Sequence, residues 1–148
     1  MEDDTRITKL RAYLMTVISE IVDEYQQLNI NFLSKEPGNF SLDKIPTQSV
    51  VESWIVGIDR CQETYSFRSR MNYSADVITN IENIGFFEKF VDKIKDKNKK
   101  CILPAIDGIE SIECPNCGSM TNANTNTAEL DIQIRIVYID NGLADASL

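Results

Sequence analysis

Residues Thr127–Ile139 alternate apolar and polar side chains almost without error. Ala128, Leu130, Ile132, Ile134, Ile136 and Tyr138 fall on one side, and Glu129, Asp131, Gln133 and Arg135 on the other. Successive side chains of a strand point to opposite faces, and Ile, Val and Tyr suit a pleated surface, so the pattern predicts one long, half-buried strand. A strand of this length requires a sheet around it. Upstream, Leu28–Ser34 alternates and predicts a short strand, Pro37-Gly38 within Lys35–Asn39 marks a turn, and Phe40–Ile45 predicts another short strand stopped by Pro46.

Val50–Ile58 is apolar on both faces and predicts a strand buried on both sides, with Gly57 at a bulge. Cys61–Tyr73 alternates again. Cys61, Tyr65, Phe67, Met71 and Tyr73 share one face, and Gln62, Thr64, Ser66, Arg68 and Arg70 the other. Whether Val50–Tyr73 is one bent hairpin or two separate strands is left open by the pattern. Gly108–Cys114 alternates too, and is expected to pair antiparallel with the long strand across the polar loop Cys114–Asn126.

Two stretches have a helical period instead. From Thr5 to about Gln26, Ile7, Leu10, Leu14, Val17, Ile18, Ile21, Val22 and Tyr25 form one apolar stripe, with Asp3, Asp4 and Thr5 as capping residues. From Ser74 to about Lys97, the stripe is Val77, Ile78, Ile81, Ile84, Phe87, Phe90, Val91 and Ile94. Gly85 interrupts it at a cost of ~1 kcal/mol relative to Ala, which marks a place for a break or kink. The lysines that crowd the end of this segment suit the negative end of a helix dipole and read as a solvated helix terminus. Strands in runs with helices set apart predict an α+β sandwich: a mainly antiparallel β-sheet covered by two helices, ending in a long C-terminal β-hairpin. The expected organisation is a single domain over residues 1–139 and a flexible tail over 140–148.

Composition narrows the functional classes. The chain has 148 residues, 43% of them hydrophobic, enough for one sizeable core. Fifteen basic against 23 acidic residues give a net charge of −8, which disfavours a nucleic-acid binder because phosphate neutralisation supplies most of that affinity. No apolar run approaches the ~18 residues of a membrane span, and the acidic start, MEDDTR, lacks the basic and apolar parts of a signal peptide. The expectation is a chain made and folded in the cytoplasm, with its four cysteines as thiols.

Candidate chemistry is sparse. The chain has no histidine, which removes the commonest general base and the Ser-His and Cys-His pairs, and it has no glycine-rich phosphate loop. Cys114-Pro-Asn-Cys117-Gly118 looks like one knuckle of a zinc ribbon, but the remaining thiols, Cys61 and Cys101, do not form a second. One half-site is weak evidence, a turn at a hairpin tip is the preferred reading, and no metal or other cofactor is expected. Arg68, Arg70, Glu129, Asp131 and Arg135 stand on polar strand faces, which a solvated sheet face with local pairing would explain; they are also the candidate subunit-contact residues, since arginine reaches carboxylates of a neighbour in bidentate pairs. No catalytic residues are assigned.

The segments TYSFRSRMNYSADVITNIENIGFFEKFVDKIKDKNK, LPAIDGIESIEC and TAELDIQIRIVYI, within Ser53–Ile139, together resemble small minor capsid or minor tail proteins of Gram-positive prophages. These belong with the tail terminators of long-tailed phages and of contractile, tail-like bacteriocins. The resemblance lies in an aromatic and arginine strand, an Asn-rich amphipathic helix, a Leu-Pro connection and a hairpin ending in a long Ile/Tyr strand. It implies a structural protein without catalysis: a terminator or collar subunit in a homo-hexameric ring that caps the tail tube and ends its polymerisation. Implied partners are the tail tube protein and sheath, head–tail connector or collar neighbours. DNA would pass through an acidic lumen without sequence-specific binding, and no membrane is involved. The implied location is a virion or tail-like particle assembled in the host cytoplasm. A head–tail connector or other tail-assembly subunit is the nearest alternative. A small cytoplasmic zinc-binding adaptor using Cys114 and Cys117 is the alternative of another class.

Overall fold

The computed structural model describes residues 5–22, 27–31, 33, 39–47, 49–55, 57–72, 77–115, 119–121 and 127–141. The chain is α+β. In order, its elements are α1 (Arg6–Ile21), β1 (Gln27–Ile30), β2 (Asn39–Ile45), β3 (Val50–Ile55), β4 (Ile58–Asn72), α2 (Val77–Lys99), β5 (Ile109–Glu113), β6 (Ser119–Thr121) and β7 (Thr127–Asn141). The strands form one sheet in the order β1-β2-β4-β7-β5, with β3 added to β4 and β6 to β7.

The two strands of 15 residues organise the sheet. β4 and β7 pair antiparallel along their whole length, from Ile58↔Asn141 to Asn72↔Thr127. On the outer edge of β4, β2 pairs antiparallel with one part and β3 with the other. On the outer edge of β7, β6 and β5 divide the length in the same way. The β1–β2 pair is parallel and makes the sheet mixed, although most of its ladders are antiparallel.

The register decides which face is dry. Cys61, Tyr65 and Phe67 of β4 stand opposite Tyr138, Ile134 and Ile132 of β7, and all six are buried. Phe40 and Leu42 of β2 and Ile112 of β5 extend this face. Against it pack Leu10, Tyr13, Leu14, Val17 and Ile18 of α1, and Phe86, Phe87, Phe90 and Ile94 of α2. A phenylalanine stack runs through the core, with Phe40–Phe67 at 5.4 Å and Phe67–Phe90 at 4.7 Å between ring centroids. Burying each such side chain contributes about 1.5–3 kcal/mol, and stacked pairs add to it.

Several expectations change. Val50–Ile58 is not one strand buried on both sides. It splits into β3 and the start of β4, and β3 is an edge strand with Val50, Val51 and Trp54 38%, 51% and 48% exposed. Gly57, with φ of 87°, lies in the turn of this hairpin, while the irregularities of register fall between Val50 and Glu52 and between Ser53 and Ile55. α2 runs through Gly85 without a break, and an added side chain there would meet nothing within 4 Å. The region expected as a loop, Cys114–Asn126, contains β6. β7 continues to Asn141, past the expected boundary at residue 139. α1 ends at Ile21, where Val22 turns extended and its N–H bonds Ile18 O at 2.9 Å. Tyr73, the Pro37-Gly38 turn and the tail beyond Asn141 lie outside the described residues.

The exit from α2 is closed by backbone bonds. Cys101 has φ of 59°, its N–H bonds Asn98 O at 3.2 Å, and the N–H of Ile102 reaches back to Lys97 O at 2.8 Å. This is the Schellman arrangement, with a cysteine where glycine is usual. The phenol of Tyr13 donates to Ile102 O at 2.8 Å and fixes this exit to α1.

Candidate functional site

The face of the sheet away from the helices gathers the charged strand residues. Arg68 of β4 stands between Ser41 of β2 and Asp131 of β7, and Arg70 between Asn39 and Glu129. The strand alternation therefore does bring Arg68, Arg70, Glu129, Asp131 and Arg135 to one face. What it could not show is how thoroughly they engage one another. The Arg68 guanidinium lies 2.6 Å from Asp43 Oδ2 and 2.9 Å from Glu129 Oε1. Asp43 also accepts from Ser41 Oγ at 2.6 Å, and Asp131 from Ser66 Oγ at 2.6 Å. Arg135 Nε donates to Glu113 of β5 at 2.9 Å.

These ion pairs are internal and partly sheltered, with only 26% of the Arg68 side chain and 8% of that of Glu129 exposed. Reversing Arg68 to Glu would set a third carboxylate between Asp43 and Glu129. Such a change tests the cohesion of the sheet before it tests any contact with a neighbour.

At one end of the same face, β3 adds a second charged group. Arg60 donates to Glu110 of β5 at 2.8 Å and to Glu52 of β3 at 3.0 Å. Its guanidinium carbon sits 4.8 Å from the centroid of the Trp54 ring. A cation over an indole face is favourable, and here it steadies an exposed tryptophan on an edge strand.

One functional-type cluster went unseen in the pattern. Glu63 is only 5% exposed on the helix-covered face, between Cys61 and Tyr65. Arg6, in the first turn of α1, donates to its carboxylate at 2.7 Å, Tyr65 donates its phenol, Tyr138 adds a longer bond at 3.3 Å, and Lys44 Nζ stands 3.6 Å away. The Arg6 guanidinium also lies 4.6 Å from the Tyr138 ring centroid. Burial alone would raise the carboxyl, but the bonds from Arg6 and Tyr65 and the nearby Lys44 outweigh it and hold Glu63 below the ordinary range. Burial, with the Glu63 charge, pushes the Tyr138 phenol up to about 12 and raises that of Tyr65 as well. At neutral pH the carboxylate stays ionised and both phenols keep their protons, so the cluster acts as a clasp between α1 and the sheet. The signal for it was phase: a lone carboxylate in step with an apolar strand face.

The cysteine motif is only partly described. Cys61, Cys101 and Cys114 are free thiols, and Cys117 lies outside the described residues. Burial, reinforced by Glu113, pushes the Cys114 thiol up to about 12. Among the described residues no group of three or more metal-ligating side chains is assembled. A cleft of about 380 Å³ lies beside the end of α2, lined by Glu20, Asp92, Lys93, Asp96, Lys97, Lys100 and Ile102. Lysines and carboxylates alternate around it, so it has no single charge to select a ligand. Among the described residues no helix is long and apolar enough to cross a membrane.

Fold and site together define a class: a two-layer α+β protein with one helix-covered sheet face and one face of mutually paired charges. In comparison with known proteins, no family model and no curated protein matches this chain.

Proposed function

We propose that the chain is a tail terminator or collar subunit, a structural protein whose copies form a ring that caps a tail tube and ends its polymerisation. The observation that carries this reading is the way the resembling segments fold. The aromatic and arginine strand and the long Ile/Tyr strand are β4 and β7, paired over their whole length, while the Asn-rich helix is α2 and the Leu-Pro connection leads directly into β5. All of the resemblance therefore falls in one continuous structural unit, as a shared fold requires. The paired charges also suit a structural role, since their bonds are directed within the sheet rather than toward a reacting group.

The test is the mass of the full chain in solution, alone and with tail tube protein. A ring, or a monomer that assembles on tube ends and halts their growth, is the expected result. A monomer that leaves tube growth unchanged overturns the reading.

A further inference from the structure

We propose that two unlike surfaces of this chain, the lysine-rich end of α2 and the edge of β3 around Trp54, dock onto each other between neighbouring copies. The inference deepens the ring reading, because it names the surfaces through which copies would meet.

Charge is segregated along the chain. Six of its 15 basic side chains lie between Glu88 and Lys100, against three of its 23 acidic ones. A locally positive segment is thus carried by a chain of net charge −8. Lys97 and Lys100 are tied to Glu20 and Asp96, at 2.9 and 3.1 Å. Lys95 and Lys99 are exposed, and among the described residues no ion pair engages them. Just beyond them, Ile102 is 49% exposed. Ile102 itself lines the cleft of mixed charge, so the free positive charge at this end of α2 rests on Lys95 and Lys99.

The edge of β3 is the complement. Val50, Val51 and Trp54 are its exposed apolar side chains. Glu52 and Glu110 flank them with only Arg60 between, so the rim is acidic. Arg60 holds the indole in place, which lowers the cost of ordering it on docking. Aromatic residues held in this way are the usual anchors of protein contacts. Among the described residues β3 pairs with β4 alone.

Charge complementarity selects the occupant. An apolar edge with an acidic rim fits a positively charged segment, and this chain presents one on α2 around Lys95 and Lys99. The register puts Glu52 and Arg60 on the face opposite the helices, so the two surfaces lie on different sides of the subunit. A contact between unlike surfaces is heterologous, and it closes into a ring when its rotation closes.

Trp54 is the single tryptophan, so its fluorescence reports this surface directly. The experiment follows mass and tryptophan emission of the full chain together, across protein concentration and salt. The expected result is a blue shift that rises with mass, and both retreat at high salt. Lys95→Glu with Lys99→Glu should weaken self-association by about tenfold or more, because it sets like charges together. Glu52→Lys with Glu110→Lys should do the same, and an equimolar mixture of the two double variants should reassemble. Circular dichroism of each variant checks folding, and the lysine pair, exposed on a helix, is the safer of the two.

Self-association with unchanged Trp54 emission overturns the inference, as does a mixture that stays dissociated or a wild-type chain that stays monomeric. A blue shift that appears only with tube protein, and without contact between copies, assigns Trp54 to that partner and also overturns it. Failure of the ring reading is scored separately, by whether tube growth stops. Rings that stop growth while Trp54 stays unshifted leave that reading standing and refute only the docking surfaces.

Discussion

Removing the guanidinium from the Glu63 clasp gives a test resolved by pH. In Arg6→Ala the carboxylate stays buried but loses its main counter-charge. Breaking a buried pair from one side costs about 3–5 kcal/mol. The Arg6 side chain is 46% exposed, so water already screens part of its charge and the expected loss is about 2 kcal/mol at neutral pH. For a chain of this size that lowers Tm by about 4–8 °C. The pH dependence is the sharper readout. In the intact clasp the folded carboxyl lies below its ordinary value, and the unfolded value is about 4.3. Between the two the unfolded chain binds more protons, so this group's contribution grows as pH rises and is lost as pH falls through the folded value. Without Arg6 only the Tyr65 bond and Lys44 still oppose burial, so the carboxyl moves up, the folded chain binds protons more readily and the slope shrinks. Urea unfolding of both proteins from acid to neutral pH should therefore show a small difference near pH 3 that widens above pH 5. A double-mutant cycle with Glu63→Gln should show coupling of about 1–2 kcal/mol at neutral pH. A difference that stays flat with pH, or a coupling near zero, would refute the assignment of the clasp.

Three further substitutions test local strain and satisfaction. Cys101→Gly should stabilise the chain by about 1 kcal/mol, because Cys101 holds a left-handed backbone that glycine adopts freely, and the urea midpoint should rise with an unchanged slope. Gly108→Ala should destabilise by about 3 kcal/mol: Gly108 has φ of 75°, and an added Cβ would collide with the backbone carbonyl of Ile139, whose N–H bonds Gly108 O at 2.8 Å. Hydrogen exchange should then show opening of the β5–β7 ladder, and unchanged protection there would count against the argument. Ser69→Ala should stabilise by about 1 kcal/mol, since Ser69 Oγ is buried and has no hydrogen-bond partner among the described residues, and a lower Tm would show that the hydroxyl is satisfied after all.

The elements that could be read from sequence were those whose own periodicity carries the information. β4 and β7 alternate over most of their length, and α1 and α2 keep an apolar stripe, so each announces its type without reference to the others. β3 did not, because Val50, Val51, Trp54 and Ile55 have the composition of a doubly buried strand, and only long-range pairing sets them at an edge. β6 is three residues in an Asn- and Thr-rich stretch, too short to show any period. The same limit governs the site. Alternation gathered Arg68, Arg70, Glu129, Asp131 and Arg135 on one face, but their partners depend on register. Asp43 reaches Arg68 from β2, and Glu113 reaches Arg135 from β5. Glu63 could have been noticed as a carboxylate in phase with Cys61 and Tyr65, yet its partners Arg6 and Tyr138 come from the two ends of the chain.

That register also decides which surfaces are free to meet another protein. A neighbour's carboxylate approaching Arg68 would have to displace Asp43 or Glu129, exchanging one charged bond for another while leaving a sheltered carboxylate unpaired. Such an exchange gains little and costs the desolvation of the incoming group. Lys95, Lys99 and Ile102 at the end of α2, and Trp54 and Val51 on β3, face no comparable loss. Their apolar atoms already lie in water, so covering them is favourable at about 25 cal/mol per Å², and among the described residues Lys95 and Lys99 have no ion pair to give up. Arg68, held by two carboxylates of its own sheet, is thus poorly suited to join this chain to another. The proposed contact between copies falls instead where the sheet runs out and where the lysine-rich helix ends.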